Sequence, residues 1–281
     1  MSERKKTSGN FSAQDKGLYF LAADFTFFKW DAYPNVLIPI DVIRDSDIEA
    51  LERMHSKGIR VMIDSGVYSF VTRLARSEHM TFADVLKIPV TKLDGFDLLV
   101  SNYLMMAHKI IRYVWGIVEI DLGGEVGKVE TRKRIEDSGI VPMPVYHCFV
   151  DSLEYGAGLM ESYDRICVGN IVDASRAERL RILEKLRRVK PDECFAHLLG
   201  YSIDPVQWAY GFDSCDTSTW LSNVRWAQLK DRACFSVIGA PADKYIYRLK
   251  NNDQWNSSVR LSQAMVNVSM LNYEKHRERV A

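Results

Sequence analysis

The chain has 281 residues, 47% of them hydrophobic, and its 37 basic and 37 acidic residues give a formal net charge of zero. This length and apolar content are enough for the core of one large α/β domain. The balanced charge excludes a protein that is basic over its whole surface, and the absence of an apolar run of membrane-spanning length predicts a cytoplasmic protein with no membrane partner.

In chain order, short apolar runs alternate with helix-like segments. A polar stretch over residues 1–14 is expected to be disordered, and eight runs of strand length follow it, at residues 18–22, 36–40, 60–63, 115–120, 143–146, 165–168, 193–198 and 211–212. Such alternation predicts parallel strands with right-handed helical crossovers. Because no GxGxxG or Walker loop follows any strand, we favour a (β/α)8 TIM-like barrel over a doubly wound sheet, as a single domain over residues 15–281.

Helices are predicted between these strands from their end signals. One begins at the capping box Ser46-Asp47-Ile48-Glu49 and ends near Lys57-Gly58, and two others cover residues 124–137 and 174–189. The connection over residues 65–111 is long, and we expect it to hold two helices, around residues 82–88 and 96–111, together with a lid inserted after the third strand. A closing helix is expected at residues 259–273.

Polar residues follow almost every predicted strand by one or two positions. A strand buried on both faces has no structural need for an ionisable group, and parallel barrels build their active sites from residues at the C-terminal ends of their strands. The pattern therefore predicts an enzyme with its active site at that end of the sheet. The residues that follow the pattern are Asp64, Asp121, His147, Asn170, His197, Asp213 and Asp216.

Each of these residues also has a purely structural interpretation. Asp64, in Asp64-Ser65-Gly66, places a carboxylate in a tight turn, yet an aspartate there also serves as a helix N-cap. A histidine at a strand end, as at His147 or His197, is often only a hydrogen-bonding residue. Of Asp213 and Asp216, we expect one to point into the pocket and the other to cap the following helix. Two carboxylates at the mouth of the same barrel suit glycosidic chemistry, in which one attacks the anomeric carbon and the other moves a proton.

The cysteines point to buried thiols rather than to a metal site. They are odd in number, scattered, and placed mostly inside apolar runs, at Cys148, Cys167, Cys194, Cys215 and Cys234. No CxxC pair occurs, so neither a zinc site nor any other metal is expected, and the chemistry above requires no organic cofactor.

Together these motifs resemble the tRNA-guanine transglycosylase superfamily, and most closely its 7-deazaguanine DNA transglycosylases of phages and bacteria (DpdA type). The resemblance spans roughly residues 59–220. It rests on the order and spacing of six motifs: Asp64-Ser65-Gly66, Val118-Glu119-Ile120-Asp121, Pro144-Val145-Tyr146-His147, Val168-Gly169-Asn170, His197-Leu198-Leu199-Gly200 and Ser214-Cys215-Asp216-Thr217-Ser218-Thr219-Trp220. It implies a protein of a bacterial or phage-infected cell.

The resemblance also implies roles for individual residues. Asp64 would be the general acid/base, and the nucleophile would be Asp216 or, in the alignment with the tRNA enzymes, Asp213; Asp216 is favoured. The base pocket would be formed by Ser65, Gly66, Asp121, His147, Gly169, Asn170, His197 and Gly200. The implied reaction exchanges guanine in DNA for a 7-deazaguanine such as 7-cyano-7-deazaguanine, through a covalent aspartyl–sugar intermediate.

Several alternatives stay open at this stage. The chain lacks the Cys-x-Cys-x-x-Cys motif of the tRNA enzymes, which disfavours tRNA as substrate. An N-glycosidic hydrolase acting on free nucleosides would need the same carboxylates, and the superfamily also contains non-catalytic partner subunits. Whether the chain acts alone, as a homodimer or with helper proteins is likewise open.

A basic helix is the best local source of contacts to a nucleic-acid backbone. The contacting residues would be Arg176, Arg179, Lys185 and Arg188, in an otherwise neutral chain. Cations on phosphates would make binding sensitive to salt. The structural alternative is a solvated outer helix of the barrel.

Overall fold

A computed structural model of the chain describes residues 3–12, 15, 18–22, 35–201 and 210–218. Its single sheet has eight strands, in the spatial order β4-β3-β2-β1-β8-β7-β6-β5, and all paired strands are parallel. The predicted parallel α/β architecture is confirmed at this level. The strands are β1 Leu18–Ala22, β2 Asn35–Pro39, β3 Arg60–Asp64, β4 Gly116–Ile117, β5 Val145–His147, β6 Arg165–Gly169, β7 Phe195–Leu198 and β8 Ser214–Thr217.

Seven α-helices connect these strands within the described residues. Most of the predicted segments match an observed helix to within a few residues, and the Ser175–Glu178 capping box starts the last of them. No helix in the described part of the chain is long and apolar enough to span a membrane. The helices are α1 Ile48–Ser56, α2 Val67–Ser77, α3 Phe82–Lys87, α4 Phe96–Ile110, α5 Gly124–Asp137, α6 Leu153–Ser162 and α7 Arg176–Val189.

Three elements differ from the prediction, and one of them is α6, which was not expected. Helix α2 was not expected, because its β-branched and aromatic residues have low helix propensity; burial of Val67, Phe70 and Val71 on one face stabilises it instead. The strand expected at residues 211–212 is wrong, because Gly211 lies in a turn with φ 77° and the strand is the polar but fully buried β8. The lid after the third strand stays a prediction, and the closing helix at 259–273 and Cys234 lie outside the described residues.

The sheet is curled around an apolar interior. One core cluster lies between the sheet and the helices, and a smaller one collects side chains from strands on both halves of the sheet. Near the two edge strands, Met143 N–H donates to Ile117 O at 2.7 Å and Met143 O accepts from Glu119 N–H at 3.0 Å. The smaller cluster contains Leu18, Phe20, Leu37, Met62, Trp115, Val118, Met143, Val145, Cys167 and Phe195.

Residues 3–12 lie against the N-terminal ends of the strands, within the segment for which the sequence predicts disorder. The physical reason is Arg165, at the start of β6, whose side chain is fully buried. Its guanidinium donates to the carbonyls of Thr7, Ser8 and Trp115, and it lies over the ring of Phe11 at 4.6 Å. A buried cation requires such acceptors, and the polar N-terminal segment supplies them.

Replacing Arg165 with Met is therefore expected to destabilise the protein by about 3 kcal/mol, because three buried carbonyl acceptors lose their donor. Urea unfolding monitored by circular dichroism measures the change. The exposed Arg181 provides the matched control, and Arg181→Met should stay within about 0.5 kcal/mol of the wild type. Equal stability of the two variants would contradict this role of Arg165.

Candidate active site

The predicted site lies at the C-terminal edge of the sheet, and Asp64 is its first member. Asp64 ends β3, and Gly66 two residues later adopts φ 76° as the N-cap of α2. A Cβ at Gly66 would lie 2.9 Å from Asp41 Oδ1, so glycine is required both by the backbone angle and by the space. Ser65 between them is buried, and the Asp64-Ser65-Gly66 turn therefore places a carboxylate at the end of its strand, as predicted.

Asp121 and His147 form a hydrogen-bonded pair. Asp121 lies four residues past β4, and His147 is the last residue of β5. Nε2 of His147 lies 2.7 Å from Asp121 Oδ2, and a carboxylate can only accept, so Nε2 carries the proton. Burial by itself would raise the pKa of Asp121, but the charge and hydrogen bond of His147 outweigh it and hold that pKa below its usual value.

Gly169 and Asn170 lie beside this pair at the end of β6. A Cβ at Gly169 would come within 2.7 Å of His147 Cδ2, so the absence of a side chain lets the imidazole ring approach the strand closely. Asn170 has φ 62°, a left-handed conformation in which asparagine is enriched, and it turns the chain into a short 3-10 helix. Both residues thus lie at the same end of the sheet as His147.

Asp216, in β8, is held by two donors on one oxygen. His197 Nε2 lies 3.1 Å from Asp216 Oδ1, and Gly200 N–H donates to the same oxygen at 2.8 Å. Both hydrogen bonds that the described residues make to this carboxylate thus involve Oδ1, which orients the side chain. His197 and Gly200 were predicted as base-pocket residues, but in the structure they contact the carboxylate of Asp216.

Ser214 completes a line of three polar side chains. Its hydroxyl lies 2.7 Å from His197 Nδ1, so Ser214, His197 and Asp216 are connected as in a serine-hydrolase relay. Ser214 is fully buried in β8, however, and two residues closer to the start of that strand than Asp216. The arrangement therefore anchors His197, and the carboxylate of Asp216, itself buried, is the end of the line that lies towards the C-terminal edge of the sheet.

The structure separates Asp213 from the other carboxylates. Asp213 directly precedes β8, so it lies at the N-terminal end of the sheet, about 10 Å along the strand from Asp216. Its Oδ2 accepts from Ala196 N–H at 2.9 Å and lies 3.3 Å from Lys190 Nζ. The structure therefore does not bring Asp213 together with the other predicted site residues, and its contacts there are with Ala196 and Lys190.

The three remaining carboxylates interact electrostatically. Burial, and after it the negative charges of Asp121 and Asp216, raise the pKa of Asp64 to about 7. Hydrogen bonds from the backbone of Gly66 and Ser65 oppose this rise. Asp64 thus exchanges a proton near neutral pH, while Asp121 stays ionised, and this difference is what acid/base chemistry requires of neighbouring carboxyl groups.

Two acidic residues near the site were missed. Asp41 follows β2 and approaches Gly66, and it obeys the same rule of a polar residue after a strand. Glu119 is fully buried, and its Oε1 accepts from Val145 N–H at 2.6 Å. Burial raises the pKa of Glu119 to about 7, in spite of the nearby Arg132 and Lys128. Its place inside the apolar run 115–120 was a signal that could have identified it.

The basic helix α7 reaches the site only at its first turn. Arg179 donates to the carbonyls of Val172 and Ala174, in the loop that follows Asn170. At the other end of α7, Lys190 contacts Asp213, so the helix runs away from the carboxylates over about 21 Å. Of the four predicted backbone contacts, Arg176 and Arg179 lie near the site, while Lys185 and Arg188 lie towards the opposite end.

The described residues contain no group of three or more His, Cys, Asp or Glu side chains arranged to hold a metal ion. Comparison with known proteins adds no identification: no protein-family model matches the chain, and no curated protein matches it in sequence.

Proposed function

We propose that the chain is a transglycosylase that exchanges guanine in DNA for a 7-deazaguanine base through a covalent aspartyl–sugar intermediate. The observation that carries the proposal is the grouping of Asp64, Asp121 and Asp216, three carboxylates at one edge of a parallel sheet whose charges interact. One can move a proton near pH 7, one stays ionised, and one is oriented by two donors. Glycosidic exchange needs these three functions.

The proposal includes closure of the sheet as a (β/α)8 barrel. The two hydrogen bonds of Met143 to residues 117 and 119 support it, because they join the segments next to the two edge strands. A parallel Val118–Met143 bridge lies at the same place. The shared inner cluster also supports it, since in a closed barrel side chains from all strands meet at the axis.

In the first half-reaction, Asp216 attacks C1′ of the target nucleotide. A bond forms between C1′ and a carboxylate oxygen, and the electron pair of the C1′–N9 bond leaves with guanine. Asp64 supplies the proton that guanine takes up. The donors on Oδ1, from His197 and Gly200, hold the carboxylate in place, and we assign the attack to Oδ2.

In the second half-reaction, the incoming 7-deazaguanine occupies the place of guanine. Asp64, now ionised, removes the N9 proton, and N9 attacks C1′. The ester bond to Asp216 breaks, and its electron pair restores the carboxylate. The same residue is acid in one direction and base in the other, for which a pKa near the working pH is best suited.

Recognition of the base is assigned to Asp121 and His147, with Gly169 and Asn170 beside them. An ionised carboxylate accepts hydrogen bonds from the amino and ring N–H groups that guanine and 7-deazaguanine share. Ser65 and Gly66 lie in the turn after Asp64, where their backbone N–H groups donate to its carboxylate. A target base must leave its stack to reach this site, at a cost of a few kcal/mol, and Arg176 and Arg179 are nearest for contact with the flanking phosphates.

The experiment that tests the proposal measures release of labelled guanine from DNA, from tRNA and from free guanosine and deoxyguanosine, each with 7-cyano-7-deazaguanine. We expect release from DNA that requires the protein and is lost in Asp64→Ala. Release from tRNA alone would assign the chain to base exchange in tRNA. Release from free nucleosides alone would assign it to nucleoside hydrolysis, and release from none would contradict all three activities.

A further inference from the structure

Strand β5 pairs with β6 on one side. On its other side, after the point where Met143 pairs with the segment that follows β4, side chains take the place of a neighbouring strand. The N–H of Val145 donates to Glu119 Oε1 at 2.6 Å, and its C=O accepts from Lys128 Nζ at 3.1 Å. Both backbone groups of Val145 are therefore satisfied by side chains rather than by a neighbouring strand. This is the segment that carries His147, two residues later.

Lys128 and Asp151 extend this arrangement to His147 itself. Asp151 Oδ2 accepts from the backbone N–H of His147 at 2.7 Å, and the same oxygen is in contact with Lys128 Nζ. Neither the Lys128 nor the Asp151 side chain has any exposed surface. The position of the His147 backbone thus depends on a buried ion pair contributed by α5 and by the loop after β5.

The pair belongs to a larger buried group, which we call the seam cluster: Glu119, Lys128, Arg132 and Asp151. Arg132 Nε lies 3.3 Å from Glu119 Oε2, and Arg132 also donates to the Tyr155 hydroxyl. Lys128 Nζ lies over the Tyr155 ring, 5.1 Å from its centroid. Two basic side chains thus face two acidic ones in this cluster.

Stability alone does not explain such a cluster. Desolvating four charges is costly, and replacing buried ion pairs with apolar residues is often neutral or stabilising. What charged groups provide, and apolar ones do not, is a fixed geometry for the backbone donors and acceptors that they bind. Here those groups belong to Val145 and His147, at the base of the Asp121–His147 pair.

We propose that Lys128 and Asp151 are positioning residues for recognition of the base: they hold the His147 backbone where its ring reaches Asp121. The ring lies against Gly169, and its Nε2 lies 2.7 Å from Asp121 Oδ2, so a small shift of the backbone breaks that contact. The base-recognition part rests on the proposed function. The positioning of His147 does not depend on it.

The test uses Asp151→Asn, Lys128→Met and the double variant, with Asp137→Asn and Lys133→Met as exposed controls on α5. The nitrogen-15 shifts of the His147 imidazole, assigned with His147→Gln, are recorded without any ligand. We expect Nε2 to show the shift of a protonated nitrogen hydrogen-bonded to a carboxylate in the wild type and in both controls. Each single variant should lose it, because it leaves a buried charge without its partner.

The double variant should recover the wild-type shifts in large part, since the side-chain carbonyl of the introduced asparagine would still accept from the His147 N–H with no charge left unpaired.

The second readout is base exchange. We expect the KM for 7-cyano-7-deazaguanine to rise about tenfold in each single variant, and the DNA concentration that gives half-maximal covalent capture should rise as well, because guanine occupies the same pocket. At saturating DNA the rate of covalent capture by Asp216 should stay within about twofold.

Variants that are less stable yet keep the wild-type His147 shifts and KM would overturn the proposal and leave a purely structural role. If a single variant fails to fold, the double variant decides: its shifts must be close to those of the wild type. A protein that shows this Nε2 shift in the wild type, and loses it in the single variants, but exchanges no base would support the positioning and contradict the proposed function.

Discussion

Asp216→Asn is expected to lower guanine release from DNA by a factor on the order of 10⁴, because an amide oxygen does not form the glycosyl ester that the reaction needs. Asparagine keeps the shape of the side chain, and its carbonyl oxygen still accepts from His197 Nε2 and Gly200 N–H. The loss would therefore report the missing nucleophile and not a collapsed site. Single-turnover release of labelled guanine measures it.

Asp213→Asn is the matched control for this prediction. Asp213 contacts Ala196 and Lys190 at the other end of β8, so its replacement should lower stability and leave the chemical step within about threefold of the wild type. The opposite result, with release lost in Asp213→Asn and retained in Asp216→Asn, would contradict the assignment of Asp216 as the nucleophile.

The second large effect concerns the pH dependence of Asp64. With its pKa raised to about 7 by burial and by Asp121 and Asp216, Asp64 is protonated below neutral pH and can serve as the acid. Single-turnover guanine release should be constant below about pH 7 and should fall about tenfold per pH unit above it, since only the protonated form is active. Asp64→Asn should lower the rate by about 10²-fold or more and abolish this dependence.

The same group affects stability with a defined sign. The folded-state pKa of Asp64 is higher than that of the unfolded chain, 3.8, so folding retains a proton between about pH 4 and about pH 7. Stability from this group is present below that window and is lost as the pH rises through it. Asp64→Asn should therefore gain stability relative to the wild type between acid pH and about pH 8. A release profile with no break near pH 7 in the wild type would contradict the role of Asp64.

Much of the fold was predictable because its signals are local. Alternating apolar runs and capped helices revealed the parallel strands and most helices, including α7 with its capping box at Ser175. The failures have non-local causes. Helix α2 forms from poor helix formers because tertiary burial outweighs propensity, and β8 is polar because its side chains bond to those of β7. The position of residues 3–12 depends on Arg165, which is far away in sequence.

The candidate site was predictable to the extent that position along a strand determines it. A polar residue at a strand end identified Asp64 and His147, and the sequence could not choose between Asp213 and Asp216 without the strand register. That register places Asp216 opposite Phe20 and leaves Asp213 before the strand. The roles of His197 and of the seam cluster depend on side-chain hydrogen bonds between distant segments, for which the sequence carries no local signal.

The measurement that tests the central claim most directly is the capture of the covalent intermediate. The protein is incubated with mixed-sequence DNA in the absence of an incoming base, quenched in denaturant, digested with nuclease, and its peptides are fragmented in a mass spectrometer. We expect a sugar–phosphate adduct on Asp216, which is absent from Asp216→Asn and is released when 7-cyano-7-deazaguanine is added before the quench. An adduct on any other residue, or guanine release without an adduct on the wild-type protein, would contradict the proposed mechanism.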